Sequence, residues 1–586
     1  MNNRQDARLE RVLATLALVI IGLISLANVV VRYFTSASFA FTEELSVFLL
    51  VILTFAGASV AMRSNRHIRI GFAERLFPRL RVPLILLQWL AGVAVLGLVV
   101  WFGAQFALEE YQWESESPGL GLPNWWYVVW LPLLALCILV RLTQMTLDRL
   151  RGRLADEPDL WMLASFLLLL LTGVPVAFSL ALSGAIGIIA GLSPDMLATL
   201  GTNTYNGVAK YPLIAIPLFI LTGLVFEKSG VALRLVRFAQ ALIGPRHGGL
   251  AMVAILVCLI MGGMSGSGPA DAAAVAMVML PSMTRAGYPR PFSATLIAAS
   301  ASTAILIPPS IALILYSIVV PGVDLRALFA AGLFPGIIAG LVLLLPAWLL
   351  ARRHGWESPQ GAERPPLGES FRQALPALFA PVLILGGLRS GLFTPTEAAV
   401  AGVTYGVLIG LFVTRELDWR NLWRLCGEAA VISGVVMLII ALAGIFAWAG
   451  TLLGTFRHLA EWLISLSDNG AVLLVLVMLA VLLAGMLLDA ISIYLILMPI
   501  LIPVMQHFGW NPVWFGILLA MNIAIGQFTP PVAINLMVTA EVAKIRLEQT
   551  VGWALLFVLV MGSALLLVAI FPEIALWLPR VLGYAV

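Results

Sequence analysis

Long apolar runs alternate with short polar segments along this chain, and the pattern predicts a series of membrane-crossing helices. Four such runs lie within residues 1–150, and basic loops and neighbouring tryptophans flank them. A charged joint at 141–159 separates these runs from a longer apolar region. We therefore predict an all-α polytopic membrane protein, with a four-span front domain at 1–150 and a second membrane domain at 151–586.

The second domain contains an internal repeat. Residues 263–309 align without a gap to residues 485–531, at a shift of 222 positions. The informative matches are glycines and prolines, because each of these fixes a backbone event. They are Gly263 with Gly485, Pro281 with Pro503, Gly287 with Gly509, and Pro308–Pro309 with Pro530–Pro531. We predict a first repeat at about 159–351, a linker at 352–373 and a second repeat at about 374–586.

Each copy of the repeat has the pattern of a hairpin that enters the membrane and returns. In the first copy, the apolar run from Gly249 to Met261 would give about 20 Å of helix, which is short of a hydrocarbon core of roughly 30 Å. The sequence GGMSGSGP follows, then a second apolar run, and a later helix breaks at Pro308–Pro309. Polar, irregular backbone at membrane depth is tolerated where it is buried or lines a cavity. We predict two re-entrant hairpins and broken helices; an ordinary helix pair with Gly/Ser packing is the alternative.

The charges beside the two hairpins predict opposite orientations. Arg246 and Arg285 flank the first hairpin and place both of its ends on the cytoplasmic side. Few basic residues flank the second hairpin, near Asn469 and Asn511, which indicates the other side of the membrane. The two copies are therefore predicted to form an inverted repeat.

Composition narrows the class of protein. The chain has 586 residues, of which 61% are hydrophobic and only 11% are charged, so a soluble globular protein is excluded. Its basic residues lie in short loops beside the spans, which indicates contact with a lipid bilayer and excludes nucleic acid as a partner. The three cysteines suggest no disulfide framework or metal site. The five histidines fall at loop or interface positions, so no facing pair suggests haem.

Motifs along nearly the whole chain resemble one transporter family. RYFTSASFAFTEEL and RSNRHIRI are similar to the small membrane subunit of TRAP (tripartite ATP-independent periplasmic) transporters. GVPVAFSL, PLFILTGLVFEKSG, MGGMSGSGPAD, LIPPS, TPTEAAV, GMLLDAIS and GQFTPPVA resemble the large membrane subunit. The order is small then large, so the chain resembles a fused permease. Fused relatives can carry an extra helix between the two parts, and the sequence shows none here.

The resemblance implies a transporter rather than an enzyme, in the bacterial inner (cytoplasmic) membrane. It implies sodium-coupled uptake of an organic acid, a C4-dicarboxylate or another carboxylate, by an elevator-type movement. It also implies a separate periplasmic substrate-binding protein as partner, and sodium as the coupling ion with no other cofactor. The alternatives are a stand-alone sodium/dicarboxylate symporter, a membrane enzyme or electron-transfer subunit, and a membrane scaffold.

Oxygen-bearing side chains at the tips and breaks are the candidate ion ligands, since sodium requires several oxygens and broken helices free their carbonyls. They are Ser265 and Ser267 at the first tip, Ser302 and Thr303 at the first break, Asp489 at the second tip and Thr529 at the second break. We expect sodium at Ser267, Asp489 and Thr529. An intramembrane carboxylate such as Asp489 is a functional hypothesis by default, although a helix cap would also explain it. Asp271 and Glu397 are further possibilities that also fit helix starts.

No basic residue lies at either tip. A bound anion would therefore depend on helix amino termini, hydroxyl groups and bound sodium.

The side of the membrane reached after the joint gives the first testable prediction. Four spans from a cytoplasmic start return the chain to the cytoplasm, and the first hairpin must also open there, so residues 159–193 should make one net crossing. Single cysteines at Ser193 and Ser267 can be labelled with a membrane-impermeant thiol reagent from either side. We expect Ser193 to react from the periplasm; reaction of Ser193 from the cytoplasm alone would contradict the single crossing.

Overall fold

The computed structural model describes residues 8–35, 41–63, 81–118, 120–150, 169, 174–191, 194–357, 364–452, 455–531 and 533–586. Within these ranges the regular structure is helical, apart from one isolated bridge between Glu116 and Pro123. Eleven of the described helical segments are long and apolar enough to cross a membrane. The all-α prediction and the many spans are thereby confirmed.

The helices are numbered here in chain order. Those up to the first tip are α1 (Arg8–Thr35), α2 (Phe41–Arg63), α3 (Arg81–Gln112), α4 (Trp125–Val128), α5 (Trp130–Leu150), α6 (Val176–Gly191), α7 (Thr199–Val208), α8 (Ala215–Lys228), α9 (Val231–Ile243) and α10 (Gly249–Ser265). The next are α11 (Gly268–Arg285), α12 (Arg290–Ala301), α13 (Ile311–Val319), α14 (Leu325–Leu341), α15 (Leu344–His354), α16 (Leu367–Arg389) and α17 (Pro395–Leu408). The last are α18 (Trp419–Leu452), α19 (Thr455–Ser465), α20 (Gly470–Gly485), α21 (Ala490–His507), α22 (Pro512–Gly526), α23 (Ile534–Ala543), α24 (Val551–Ile570) and α25 (Glu573–Val581).

The chain divides into two compact units, and neither is continuous in sequence. Unit 1 comprises Met1–Leu218, Trp423–Leu463 and Leu495–Pro503. Unit 2 comprises Phe219–Leu422, Ile464–Tyr494 and Val504–Val586. The predicted domain boundary near residue 150 therefore falls inside unit 1, and the division into domains and repeats stays a prediction from the sequence.

Unit 1 is built on the front helices. Helix α2 packs against α1 and α5, and α3 packs against α5, α6 and α7. Most of α2 is buried although it lies within the first 63 residues of the chain. Its apolar residues point in all directions, as expected for a helix that other helices surround.

Two glycines let the backbones of α2 and α18 approach closely within unit 1. A Cβ atom added to Gly57 would lie 2.5 Å from the carbonyl oxygen of Ala430 and 2.9 Å from the Cα atom of Gly434. An atom added to Gly434 would likewise collide with the backbone of Gly57. Small residues of this kind are what membrane helices use for close packing, because water supplies no driving force between them.

Unit 2 contains two short helices that are almost entirely buried. Every residue from Phe292 to the end of α12, and from Val513 to the end of α22, is buried. Helix α12 packs against α10, α11 and α23, and α22 packs against α20, α14 and α24. These two helices start 222 positions apart, at Arg290 and Pro512.

Other boundaries follow the same shift. Helix α11 (Gly268–Arg285) and helix α21 (Ala490–His507) correspond at both ends. Gly287 and Gly509, which follow them, both have positive φ values of 91° and 62°. The bonds Pro308–Pro309 and Pro530–Pro531 are both cis. Whether the copies are inverted and re-entrant, as predicted above, rests on the charge pattern.

The predicted single crossing at 159–193 falls mostly outside the described residues. Helix α6, from Val176 to Gly191, is the described part of that stretch and has 16 residues. Ser193 and Gly173 lie outside the described residues.

The glycine contact in unit 1 gives a stability prediction. Gly57→Ala or Gly434→Ala should lower the apparent Tm of the detergent-purified protein, because the added methyl group meets backbone atoms and overpacking costs about 1–3 kcal/mol. Gly97→Ala in α3 is the matched control, since no atom lies within 4 Å of its added Cβ. The control should be neutral or slightly stabilising, because Ala favours helix over Gly by up to about 1 kcal/mol. Equal apparent Tm values for all three variants would show that the close approach is not needed.

Candidate transport site

The first predicted tip ends α10 and begins α11. Gly266 follows α10 with φ of 61°, a left-handed conformation that favours glycine. The amide of Ser267 then donates to the hydroxyl oxygen of Ser265 at 3.2 Å, and Ser267 is the residue that precedes the first turn of α11. A Cβ atom on Gly266 would collide with the carbonyl oxygen of Pro309. The tip therefore lies directly against the first break.

The same tip also meets the second break. A Cβ atom on Gly268 would lie 2.8 Å from Nδ2 of Asn535 and 2.9 Å from Oε1 of Gln527. Gln527 follows α22 and Asn535 is in the first turn of α23, so these two residues flank Pro530–Pro531. The amide of Asn535 donates to the carbonyl of Gln527 at 3.0 Å, which closes the break into a compact loop. Tip, first break and second break thus converge within unit 2.

Four buried oxygens in the segments that meet here have no hydrogen-bond partner within 3.5 Å among the described residues, although the Ser265 hydroxyl lies near Asp271. They are both carboxylate oxygens of Asp271, Oε1 of Gln527 and Oδ1 of Asn535. Asp271 is fully buried, lies in the first turn of α11 and has no basic residue within 4 Å among the described residues. Buried polar groups are normally paired, and an unpaired carboxylate is costly. This set of oxygens is what a hard cation would satisfy.

The carboxylate at the second tip, that of Asp489, has hydrogen-bond donors within the protein. Asp489 accepts hydrogen bonds from the amides of Ile491 and Ser492 at 3.0 and 3.4 Å, and from the Ser492 hydroxyl at 2.5 Å. This is a helix cap at the start of α21, so the capping alternative describes its geometry. Gly485, just before this tip, lies so close to Gly526 that a Cβ atom on Gly526 would be 2.7 Å from the Cα atom of Gly485. The second tip therefore approaches the second break.

A corresponding contact exists in the first copy. A Cβ atom on Gly262 would lie 3.0 Å from the Cα atom of Ala304. Ala304 is the counterpart of Gly526 at the 222 shift, and Gly262 is one residue from the counterpart of Gly485. In both copies, then, the end of the helix before the tip rests on the break of the same copy.

Three of the five predicted hydroxyl ligands donate to carbonyls three or four residues earlier in the chain. Ser302 donates to Ala299 at 2.7 Å, Thr303 to Ser300 at 2.7 Å and Thr529 to Ile525 at 2.6 Å. Donation uses the proton of each hydroxyl and leaves its oxygen lone pairs for a cation. Ser302 and Thr303 are fully buried in the short 3₁₀ turn Ser302–Ile305.

Glu397 caps the start of a helix, which is one of the roles that its sequence motif allowed. Its carboxylate accepts from the amide of Thr394 at 2.8 Å, and its own amide donates to the Thr394 hydroxyl at 3.4 Å. This reciprocal pair is a capping box at the start of α17.

Gln527 and Asn535 were not among the residues predicted from the sequence. Both flank the proline pair that marked the second break, and Gln527 lies in the motif GQFTPPVA. An amide in an otherwise apolar run was therefore the available signal. What the sequence did not show is that these amides face the tip of the other copy.

A half-buried carboxylate, that of Glu357, joins the ends of the first helix pair. Glu357, which follows α15, accepts from the Tyr288 hydroxyl at 2.6 Å and from the amide of Leu250 at 2.9 Å. Its own amide donates to the carbonyl of Ala286 at 2.9 Å. Burial raises the pKa of Glu357, and the Tyr288 hydrogen bond opposes that rise. One residue thus ties together the start of α10 and the turn after α11.

Two family models match the chain in consecutive segments. Residues 21–152 match the DctQ component of tripartite ATP-independent periplasmic transporters, and residues 163–574 match the DctM component. The second segment alone covers more than half of the chain. The chain belongs to the TRAP transporter family.

The chain is thus a TRAP permease in which DctQ-type and DctM-type parts are fused, as predicted from its motifs. It is a multi-pass protein of the inner membrane and a transporter rather than an enzyme, which confirms those two predictions as well. Membership also implies a separate periplasmic substrate-binding protein.

Full-length relatives have the same fused arrangement. The isethionate TRAP transporter permease protein DctMQ of Oleidesulfovibrio alaskensis is 30% identical over 574 residues, covering 92% of this chain and 89% of that one. The sialic acid TRAP transporter permease protein SiaT of Haemophilus influenzae is 29% identical over 608 residues, covering 97% and 98%. The 2,3-diketo-L-gulonate TRAP transporter large permease protein YiaN of Escherichia coli is 36% identical and covers 69% of this chain and 94% of its own length. Among solved structures, the Alcanivorax borkumensis YdaH transporter is similar with a TM-score of 0.47 and 15% identity, over 68% of this chain and 90% of that one.

The Glu357 tether gives a pH-dependent prediction. Because the folded-state pKa of Glu357 is raised, the folded protein binds its proton more tightly than the unfolded chain, and stability should fall as pH rises from about 4.5 through the folded pKa. Glu357→Gln keeps an acceptor for both donors and should flatten this slope in apparent Tm. Glu357→Ala leaves the Leu250 amide and the Tyr288 hydroxyl unpaired and should cost about 1–3 kcal/mol.

Glu369, an exposed glutamate in the first turn of α16, is the control for the tether. Glu369→Gln should leave both the slope and the apparent Tm near those of the unmodified protein. An unchanged slope in Glu357→Gln would contradict the role given to Glu357.

Proposed function

We propose that this TRAP permease couples inward sodium movement to the uptake of an organic acid, which a separate periplasmic binding protein delivers. The observation that carries the proposal is a cluster of partnerless buried oxygens on two neighbouring segments. Asp271 lies in the first turn of α11, and Gln527 and Asn535 lie against Gly268 in the same turn. A buried carboxylate without a donor or a cation is strongly unfavourable, and a bound cation would remove that penalty.

Sodium fits this cluster by the chemistry of its donors. The cluster offers a carboxylate and two amide oxygens, and the breaks beside it free backbone carbonyls. Arg and Lys are absent from residues 261–271 and 523–535, so no side-chain cation of these segments competes for the carboxylate. A second ion at Ser267, Asp489 and Thr529 remains the prediction from the sequence, with Asp489 able to cap α21 and ligate through its remaining lone pairs.

The substrate we propose is a small organic acid, with a C4-dicarboxylate or another carboxylate as the expected class. Relatives are described as permeases for isethionate, 2,3-diketo-L-gulonate, sialic acid and C4-dicarboxylates, all of which are organic acids. With no basic side chain at either tip, the anion would be held by the amino termini of α11 and α23, by amides and by bound sodium.

The movement we propose is of the elevator type, with two inverted, re-entrant copies of the repeat carrying the site. Equivalent start positions in α11 and α21, and in α12 and α22, support the repeat. Rigid-body movement of one assembly that holds a fixed site is the usual way in which such repeats give alternating access.

Reconstitution tests the function as a whole. The purified protein in liposomes should take up little solute under an inward sodium gradient, and much more when its periplasmic binding protein is added. A panel of radiolabelled organic acids would define the substrate. Equal uptake without the binding protein would instead indicate a stand-alone symporter, and uptake without a sodium gradient would contradict sodium coupling.

Carboxylate variants test the two ion sites in the same liposomes. Asp489→Ala should abolish sodium-driven uptake while expression and docking of the binding protein stay near normal, and Asp489→Asn should keep a little activity because an amide oxygen can still ligate. Asp271→Asn should raise the sodium concentration needed for half-maximal uptake by at least ~10-fold, equivalent to about 1.4 kcal/mol of binding free energy. Asp418→Asn is the control, because Asp418 is exposed and accepts from the amide of Asn421 in the first turn of α18, away from both tips in the sequence. Wild-type rate and sodium dependence in either variant would remove that carboxylate from the ion site.

A further inference from the structure

A small cavity in unit 2 brings two arginines to the same end of two membrane spans. Its volume is about 100 Å³, and α14, α16, α25 and the residues after α25 line it. Arg326 lies in the first turn of α14, and Arg389 is the last residue of α16. The two candidate spans Leu325–His354 and Leu367–Arg389 are consecutive, so the start of one and the end of the other lie at the same membrane face.

Both arginine side chains lie beside the aromatic ring of Tyr584. The guanidinium carbons of Arg326 and Arg389 lie 5.9 and 5.7 Å from the centre of the Tyr584 ring. Arg326 makes two long, exposed hydrogen bonds to the Asp324 carboxylate, from Nε to Oδ1 at 3.5 Å and from Nη2 to Oδ2 at 3.4 Å. Arg389 has no acidic partner within 4 Å among the described residues. Two like charges held near one ring leave a net positive site that an anion would neutralise.

The rest of the cavity is apolar and opens beside a surface suited to lipid. Its wall includes Leu333, Leu385, Leu388, Leu578 and Leu582. Trp577 of α25, about half exposed, packs against Phe334 with ring centres 5.8 Å apart. Helix α25 is short, follows the span α24 and has leucine, tryptophan and arginine side chains. Aromatic residues and short amphipathic helices of this kind lie at the level of lipid headgroups.

We propose that this cavity, defined by Arg326, Arg389 and Tyr584, binds the headgroup of an anionic phospholipid. The two guanidinium groups would donate to the phosphodiester oxygens, as arginine does in fork-shaped pairs with phosphate. The leucines would contact the upper part of the acyl chains. The opposite ends of the same two spans carry Arg352, Arg353, His354 and Arg364, so the positive-inside rule places the lipid in the periplasmic leaflet.

The cavity lies next to the first break of the candidate transport site. Pro308, the first proline of the first break, forms part of its wall. A bound lipid would therefore lie against the segment whose second proline, Pro309, contacts Gly266 of the first tip. The proposed lipid site itself does not depend on sodium coupling or on the identity of the substrate.

Lipid titration of the purified full-length protein tests the proposal. Phosphatidylglycerol added to the detergent-solubilised protein should raise the apparent Tm and appear as a bound adduct in native mass spectrometry, whereas phosphatidylcholine should do neither at the same concentration. In Arg326→Gln/Arg389→Gln, the affinity for phosphatidylglycerol should fall roughly 10- to 30-fold, since each arginine near an anionic surface contributes about a fivefold factor.

Arg352→Gln is the matched control. Arg352 is also an arginine at a span end and lies 5.4 Å from the ring centre of Trp348, but at the opposite face. This control should keep the full affinity for phosphatidylglycerol. If the double variant does not fold, Arg389→Lys, which keeps the charge but loses the planar fork, should give a smaller loss of affinity with the same sign.

Three results would overturn the proposal. The first is equal affinity for phosphatidylglycerol in the wild type and the double variant. The second is a full rise in Tm with inorganic phosphate or glycerol phosphate alone, which would indicate a soluble anion. The third is an unchanged lipid affinity together with lost docking of the periplasmic binding protein, which would assign the arginines to protein recognition.

Discussion

Backbone groups inside a bilayer must find their partners within the protein, and this constraint organises unit 2 of the permease. The chain breaks its helices at Pro308–Pro309 and at Pro530–Pro531, which frees carbonyls where lipid could not satisfy them. The structure encloses both breaks around the first tip, with Gly266 against one and Gly268 against the other. The buried helices α12 and α22 lead into the breaks, and they pack on α10, α11 and α20, the helices beside the two tips.

The carboxylates at the two tips differ in the number of hydrogen-bond donors that surround them. At the second tip, the carboxylate of Asp489 receives two amides and a hydroxyl, so its charge is already compensated in part. At the first tip, the counterpart of Asp489 is Ser267, and Asp271 lies one turn further into α11. The Asp271 carboxylate has no donor within 3.5 Å among the described residues, and the turn that carries it faces the amides of Gln527 and Asn535. The two copies therefore share a backbone framework but differ in their carboxylates. The carboxylate of the second tip caps its own helix, whereas the oxygens at the first tip are left without hydrogen-bond partners in the part of the chain that the structure describes. This asymmetry is why we place a cation first at Asp271.

The sequence predicted much of the fold and less of the candidate ion site. Register-matched glycines and prolines located the helix ends, because those residues act on the backbone locally and leave the same trace wherever they occur. Ser267, Thr303 and Thr529 lie at helix ends in the structure, and their role as ion ligands stays a prediction. Gln527 and Asn535 were missed, since an amide side chain carries no local mark of what it faces. Asp489 was weighted above Asp271 because its surroundings in the sequence are more apolar, whereas the number of donors around each carboxylate depends on the packed structure.

The sequence by itself determined the class and the family of this protein, and the positions of its spans and helix breaks. Apolar length sets the spans, short-range glycine and proline chemistry sets the breaks, and the motifs identify a fused permease; all three are properties of neighbouring residues. Only the tertiary structure decided which residues meet. It grouped α18 with the front helices through Gly57 and Gly434, and it placed the amides of Gln527 and Asn535 against Gly268, which lies more than 250 residues earlier in the chain and in the same turn as Asp271. Contacts of that kind arise from how whole helices pack, and packing is a sum over many residues that no single stretch of the chain contains.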